Sequence, residues 1–291
     1  LIWLILKQRF QPPITFWLVN STKLTPTDQK LSVEAKRAFL RNCSLIVTGC
    51  ARNIEHRLPV FRTKIERITS LFMKYYLYIG ESDSTDNTLS FLYKWSRENP
   101  HVIVQTYGNV SRYITGRTER IAYCRNNVLD NARNSELFIS SGRTFYMAID
   151  LDINTRLDEA QFLTNFDYSI DEWGAMTASQ FGGYYDIWAL RDKVVNYDCW
   201  YRATNIIIRL ITLNRGVDTY ISVHQKSIPP DHPLIPVDSA FGGTAIYQIK
   251  YINGCSYSGY QSHQICEHVP FNLCVTRNKG QIFINPKFQV D

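Results

Sequence analysis

The sequence predicts an α/β fold built as one domain, a mostly parallel central sheet flanked by helices. Two observations carry this reading. Short apolar runs recur at 43–49, 75–80, 101–107 and 144–150, and each is separated from the next by a stretch with helical spacing. Strands that alternate with helices need crossover connections, which cover both faces of a parallel sheet. The chain also has the material for such a core, with 45% hydrophobic residues in 291 positions.

Residues 1–40 contain Pro and Thr, show weak periodicity and read as an N-terminal extension with a helix over 28–41. The apolar run at 1–6 is too short to span a bilayer and reads as the tail of a removed anchor, the one membrane connection expected. The domain proper occupies 41–291. In its first half, 41–152, strand 43–49 is followed by a helix over 54–72, and strand 75–80 by a helix over 85–98 with Leu89, Leu92 and Trp95 at helical spacing. Strand 101–107, a helix over 117–132 and strand 144–150 complete it. Ligands of such sheets bind beyond the carboxyl ends of the strands, so this half is expected to hold a nucleotide. The second half, 153–291, has a mixed rhythm: a helix at 158–165, strands at 173–179 and 243–249, and long loops that would shape an acceptor site.

Thirty-two basic residues against 26 acidic leave +6, spread without a Lys/Arg block, so no nucleic-acid partner is indicated. Aromatic content of 13% suits a sugar site, because a pyranose offers an apolar C–H face to stack on. The seven cysteines include no C-x-x-C pair, which argues against zinc. Cys43 and Cys124 read as buried thiols. Cys255, Cys266 and Cys274 are close enough in sequence for one disulfide in an oxidising compartment. Asn20, Asn42 and Asn109 each open a glycosylation triplet, which fits a Golgi or ER lumen.

The acidic pair Asp150-Leu151-Asp152 ends the run TFYMAI and reads as a buried strand that delivers two carboxylates to the sheet rim. A hard cation such as Mn²⁺ or Mg²⁺ takes these oxygens and keeps positions for phosphate oxygens, so the expected site is a metal-bridged nucleotide-sugar site. Thr48 and Gly49 with Arg52, and Glu81 with Asp83, fall at other strand ends as nucleoside contacts. In the segment 80–88 Asp83 would accept from a base or ribose, while Asp86 or Thr85 caps the next helix. Arg117, Arg120 and Arg125 diverge around their helix, so one or two would reach phosphate. Asn126 beside them is a poor mid-helix residue. The segment 181–192, with Tyr184, Tyr185, Asp186, Trp188 and Arg191, reads either as a sugar-stacking wall or as an edge strand with a Gly turn. Asp238, ahead of Gly242 and Gly243, is a candidate general base or hydroxyl-holding carboxylate. His268, after Glu267, is a candidate third metal ligand with Asp150 and Asp152.

In order and spacing these segments resemble nucleotide-sugar glycosyltransferases of the GT-A fold. More narrowly they are similar to the fungal capsule-associated α-mannosyltransferase family and related protist and large-virus enzymes. The family's E-S-G-S-x-D-x-T is matched by 81–88, its A-x-x-R-N by 122–126, its acidic strand end by 150–152, its Y-D-x-x-x-x-R-D by 185–192 and its late S-x-x-x-G by 239–243. The chain departs from the family where S-C-W-N-G is Ser239-Ala240-Phe241-Gly242-Gly243 and where S-E-C is Cys266-Glu267-His268. The resemblance implies metal-dependent transfer of a sugar from a UDP- or GDP-linked donor to a carbohydrate hydroxyl, with retention favoured and Asp186 and Arg191 at the reacting end. It also allows a cytoplasmic location for a viral enzyme. Two rivals are a sugar nucleotidylyltransferase, whose G-x-G-x-R opening is absent here, and a non-catalytic carbohydrate-binding protein, which would have no need of Asp150, Asp152 and His268.

Overall fold

The computed structural model describes residues 16–19, 31–139, 143–152 and 156–291. Within them one sheet contains β1 (Ser44–Ala51), β2 (Lys74–Glu81), β3 (Val102–Thr106), β4 (Thr144–Asp150), β5 (Ala175–Gln180), β6 (Ile235–Val237), β7 (Thr244–Gln248) and β8 (Ile282–Val290). Their order is β3-β2-β1-β4-β7-β5-β8-β6. β1 pairs in parallel with β2 and β4, and β2 with β3. β7 lies antiparallel between β4 and β5, β8 pairs in parallel with β5, and β6 closes the edge antiparallel to β8. The result is a mostly parallel α/β sheet with a mixed second half, as the sequence predicts.

Period-two alternation sorts the strand residues onto two cores. Leu45, Val47, Phe145, Met147 and Ile149 face one core, and Ile46, Tyr78, Tyr146, Ala148 and Tyr247 face the other. Helices Leu58–Thr69 and Thr88–Glu98 cover the first face through Phe61, Ile65, Ile68, Leu92 and Trp95. At about 1.5–3 kcal/mol per buried large apolar side chain, this packing outweighs the weak intrinsic stability of helices so short. The helix Arg117–Arg133 covers the second face through Ala122, Val128, Leu129 and Ala132.

Several boundaries move. β1 runs two residues past Gly49 because Cys50 and Ala51 pair with Gly80 and Glu81. The next helix starts at Leu58, not 54, with Pro59 in its first turn, where a missing N–H costs nothing. The first predicted helix is Val33–Leu40, capped by Ser32, whose side chain accepts from Ala35 N. The residues 28–30 of that prediction, the run at 1–6 and Asn20 lie outside the described residues. No described helix is long and apolar enough to cross a membrane. β6, β8, the short helices between 199 and 222 and the helix His268–Arg277 are additions to the predicted elements. β8 is disguised in the sequence by Pro286: the register jumps from Ala178–Asn285 to Ser179–Gln289, so the proline sits in a bulge.

The cysteines require a correction. Cys124 is not a thiol but is bonded to Cys50, and Cys255 is bonded to Cys274. Cys50 follows Ile46 and Thr48 on the face covered by Arg117–Arg133, which is why it meets Cys124. Cys43, Cys199 and Cys266 are free and buried.

Candidate functional site

Beyond the ends of β1, β2 and β4 lies a cavity of about 570 Å³. Its lining includes Arg52 after β1, Asp83 after β2, and Asp150 and Asp152 at and after β4. The helix Arg117–Arg133 contributes Arg117, Arg120, Cys124 and Arg125, and the second half of the chain contributes Tyr185, Asp186, Trp188, Phe241, Glu267 and His268. All three arginines reach one cavity, where the sequence predicts one or two. At about 100° per residue they span about 140° of the helix, an arc that a concave wall can face.

Alternation explains the central contact. Asp150 shares the face of Tyr146 and Ala148, the face under the arginine helix, so its carboxylate meets the Arg125 guanidinium in an ion pair. Arg125 Nε also donates to Glu267 Oε1 at 3.0 Å, and Arg125 and Glu267 are both buried. The Arg125 guanidinium lies 5.1 Å from the Phe241 ring centroid. Burial works against the charge on Arg125, and the carboxylates of Asp150 and Glu267 more than restore it. Burial also pushes the Asp150 carboxyl up to about 7; Arg125 opposes this, while Asp152 and Glu267 add to it.

His268 stacks on Phe241 at 3.6 Å and is almost fully buried. Burial holds its imidazole well below the ordinary value, the Arg125 charge adds to this, and neither ring nitrogen has a hydrogen-bond partner. Its Nε2 lies 3.5 Å from Glu267 Oε1, and a neutral imidazole has one lone-pair nitrogen to offer a cation. Asp150, however, is already paired with Arg125. Among the described residues no group of three His, Cys, Asp or Glu side chains is arranged to hold a metal ion. The expected three-ligand cluster is therefore not preassembled. Two carboxylates, Asp150 and Asp152, are what these residues could offer a hard cation, which would take its remaining oxygens from elsewhere.

Asp83 takes a left-handed backbone (φ 59°) and its Oδ1 accepts from Ser111 N at 3.0 Å. Burial would raise its carboxyl, but hydrogen bonds from Ser111 and Ser82 and the charge of Arg52 outweigh that and hold it below its usual value. Asp186 is held from the other side of the chain: its Oδ2 accepts from Gly242 N at 2.9 Å and its Oδ1 from Ala189 N at 3.4 Å. Burial pushes Asp186 up to about 6, although those N–H groups pull it down. Gly242 is required here, because its φ is 65° and a Cβ would lie 2.2 Å from Ala178 O.

Other predicted residues fall outside the lining. Thr48 is buried within β1 and hydrogen-bonded to Tyr146 Oη at 2.7 Å, and Gly49 is paired inside the sheet. Glu81 is buried, accepting from Ser84 N and Thr106 Oγ1, so it shapes the loop that carries Asp83. Asn126 exchanges two hydrogen bonds with the Tyr257 backbone, which accounts for an Asn in mid-helix. Leu151 points into the opposite core. Arg191 donates to the carbonyls of Trp188 and Leu190 and pairs with Asp198 at 3.3 Å. Asp238 is exposed beside β6 and does not line the cavity; the acids delivered there by the second half are Asp186 and Glu267. The segment 181–192 is a loop with isolated bridges at Gly183 and Arg191, not an edge strand. Glu267 had no signal of its own beyond its position next to His268. Trp200 and Ile221, from helices in a stretch read from the sequence only as intervening loop, also line the cavity, as does Gln225 just beyond them.

No protein-family model and no curated protein matches the chain. Solved structures similar to it include the Pyrobaculum calidifontis mannosyltransferase PcManGT in complex with GDP-Man and Mn²⁺, at 12% identity and a TM-score of 0.43, covering 99% of this chain and 62% of that one. Staphylococcus aureus TarS 1–349 with UDP aligns at 14% identity and 0.45, covering 83% and 57%. Mycobacterium tuberculosis glucosyl-3-phosphoglycerate synthase with phosphoglyceric acid aligns at 10% and 0.45, covering 92% and 77%. This chain thus spans about three fifths of the length of the first two. Scores of this size carry no argument about chemistry, and the site is read from its own residues.

Proposed function

We propose that this protein is a glycosyltransferase that moves a sugar from a UDP- or GDP-linked donor to a carbohydrate hydroxyl, with Mn²⁺ or Mg²⁺ assisting. One observation supports this above all: two carboxylates at the end of a buried parallel strand line the same cavity as four arginines, Arg52, Arg117, Arg120 and Arg125. A bound cation would be held by Asp150 and Asp152 and would supply positive charge to a diphosphate leaving group. The chain's own part is positional. Arg117 and Arg120 add guanidinium charge where a leaving diphosphate would gather it. Asp83, held ionised, accepts from a base N–H or ribose hydroxyl. Tyr185 and Trp188 offer rings to a sugar face, and Asp186 holds a hydroxyl of donor or acceptor. Asp238 lies outside the lining, and retention of anomeric configuration is the outcome the resemblance favours.

The test uses the full chain, a panel of UDP- and GDP-sugars with and without Mn²⁺, and release of free UDP or GDP as readout. Asp152 is exposed, so Asp152→Asn is expected to fold normally and to lose about a hundredfold or more of metal-dependent transfer. Near-wild-type turnover by the folded variant would refute the assignment.

A further inference from the structure

The helix Ile206–Ile211 has the sequence IIIRLI, apolar almost all round, and none of its residues is buried. A helix of that composition normally sits in a core. Here its side chains stand in solvent: Ile206 is 64% exposed, Ile207 62% and Leu210 71%, and Leu213 just beyond is 72% exposed. The protrusion is built into the backbone. Asn205 caps the helix start, and Leu213 and Asn214 turn through left-handed conformations (φ 51° and 62°). Arg209 Nε donates to Asn214 Oδ1 at 3.2 Å, which ties that turn back onto the helix. Exposed Trp200 and Tyr201 flank the cluster in the preceding helix Cys199–Thr204.

Charge tells what covers this face. Between 199 and 222 there are three arginines, Arg202, Arg209 and Arg215, all exposed, against the single acid Asp218, a net +2. Arg202 lies over the Tyr197 ring at 4.2 Å and Arg215 pairs with Asp218 at 3.3 Å, and both remain exposed. Protruding aliphatic side chains in a segment with three exposed arginines, with Trp and Tyr in the neighbouring helix, match the boundary between anionic headgroups and acyl chains. A protein partner would need a groove shaped to each projecting side chain, whereas the headgroup boundary accepts projections of any shape. We propose that this face docks onto an anionic lipid bilayer, with Ile206, Ile207, Leu210 and Leu213 entering the interface and Arg202, Arg209 and Arg215 at the level of the lipid phosphates. Trp200 and Ile221 of the same region line the cavity, so docking would bring its mouth to the membrane surface. The inference does not depend on the reaction performed.

The full chain is mixed with vesicles of phosphatidylcholine alone or enriched in phosphatidylserine and then sedimented. The expected result is co-sedimentation with the anionic vesicles only, weakened by salt. Arg209→Ser should lower partitioning about fivefold. Leu210→Ser with Leu213→Ser should lower it about a hundredfold, with far-UV circular dichroism and the thermal melt unchanged. Three results would each overturn the proposal: no co-sedimentation, equal co-sedimentation by the leucine variant, or self-association in the absence of lipid that the same two substitutions abolish.

Discussion

In the parallel half of the sheet, strand register alone brings the acidic and basic groups together. Cys50, Asp150 and the arginine helix meet because even-numbered positions of β1 and β4 face that helix. In the second half, Tyr185, Asp186, Trp188 and Phe241 sit on loops, and single side chains hold those loops. Asp186 binds Gly242 N, Ser239 Oγ donates to Ala189 O, and Asn272 donates to Ser239 Oγ and Ala240 O. A strand cannot shift by one residue without reversing every side chain, whereas a loop can shift when one hydrogen bond is lost. Substitutions within the buried strand-and-helix contacts of the first half should therefore cost folding and activity together, and those of the loop-holding side chains in the second half should separate the two.

The largest effect is expected for Arg125→Met, which leaves Asp150 and Glu267 together without their cation. A loss of about 3–5 kcal/mol of stability in urea unfolding is expected, with transfer abolished. Removing Glu267 as well should recover part of the stability but none of the transfer. Next comes Asn272→Ala, which strips a buried amide that also accepts from Tyr247 Oη at 2.9 Å. It should cost about 1–3 kcal/mol and raise acceptor KM more than it lowers kcat; equal effects on both would erase the contrast between the halves.

Smaller effects sharpen the comparison. The disulfide Cys50–Cys124 closes a separation of 74 residues and Cys255–Cys274 one of 19, so on loop-closure entropy the first is worth about 1 kcal/mol more. Thermal melts of Cys50→Ser and Cys274→Ser read that difference. The last concerns Asp186, whose folded carboxyl is raised to about 6 from an ordinary 3.8. Its protonated form is favoured by folding, so its contribution is fully present below pH 4 and is lost as pH rises through 6. Asp186→Asn should melt higher than wild type at pH 8, with the gap shrinking through pH 6 and gone below pH 4.

How far the sequence reached follows the same division. β1 to β4 and their helices were legible because apolar runs alternated with helical spacing, and Asp150 and Asp152 were legible because that run stopped at them. Thr48 and Gly49 were misplaced because β1 pairs two residues further than its apolar run. The second half hid its elements: Pro286 masked β8, and the exposed helix Ile206–Ile211 has no polar face to give it a helical period. Asp238 and Asp186 are both acids near glycines, and only the contact from Gly242 N to Asp186, 56 residues away, distinguishes them. Such long-range closure leaves no local trace.

The bond between Cys50 and Cys124 stands in the cavity wall itself, one residue before the arginine that grips Asp150. Protein produced in a reducing bacterial cytosol would emerge with that wall unlatched. An inactive batch from such a host would then report the redox history of the preparation, and refolding with an oxidised glutathione couple should precede any assay of transfer.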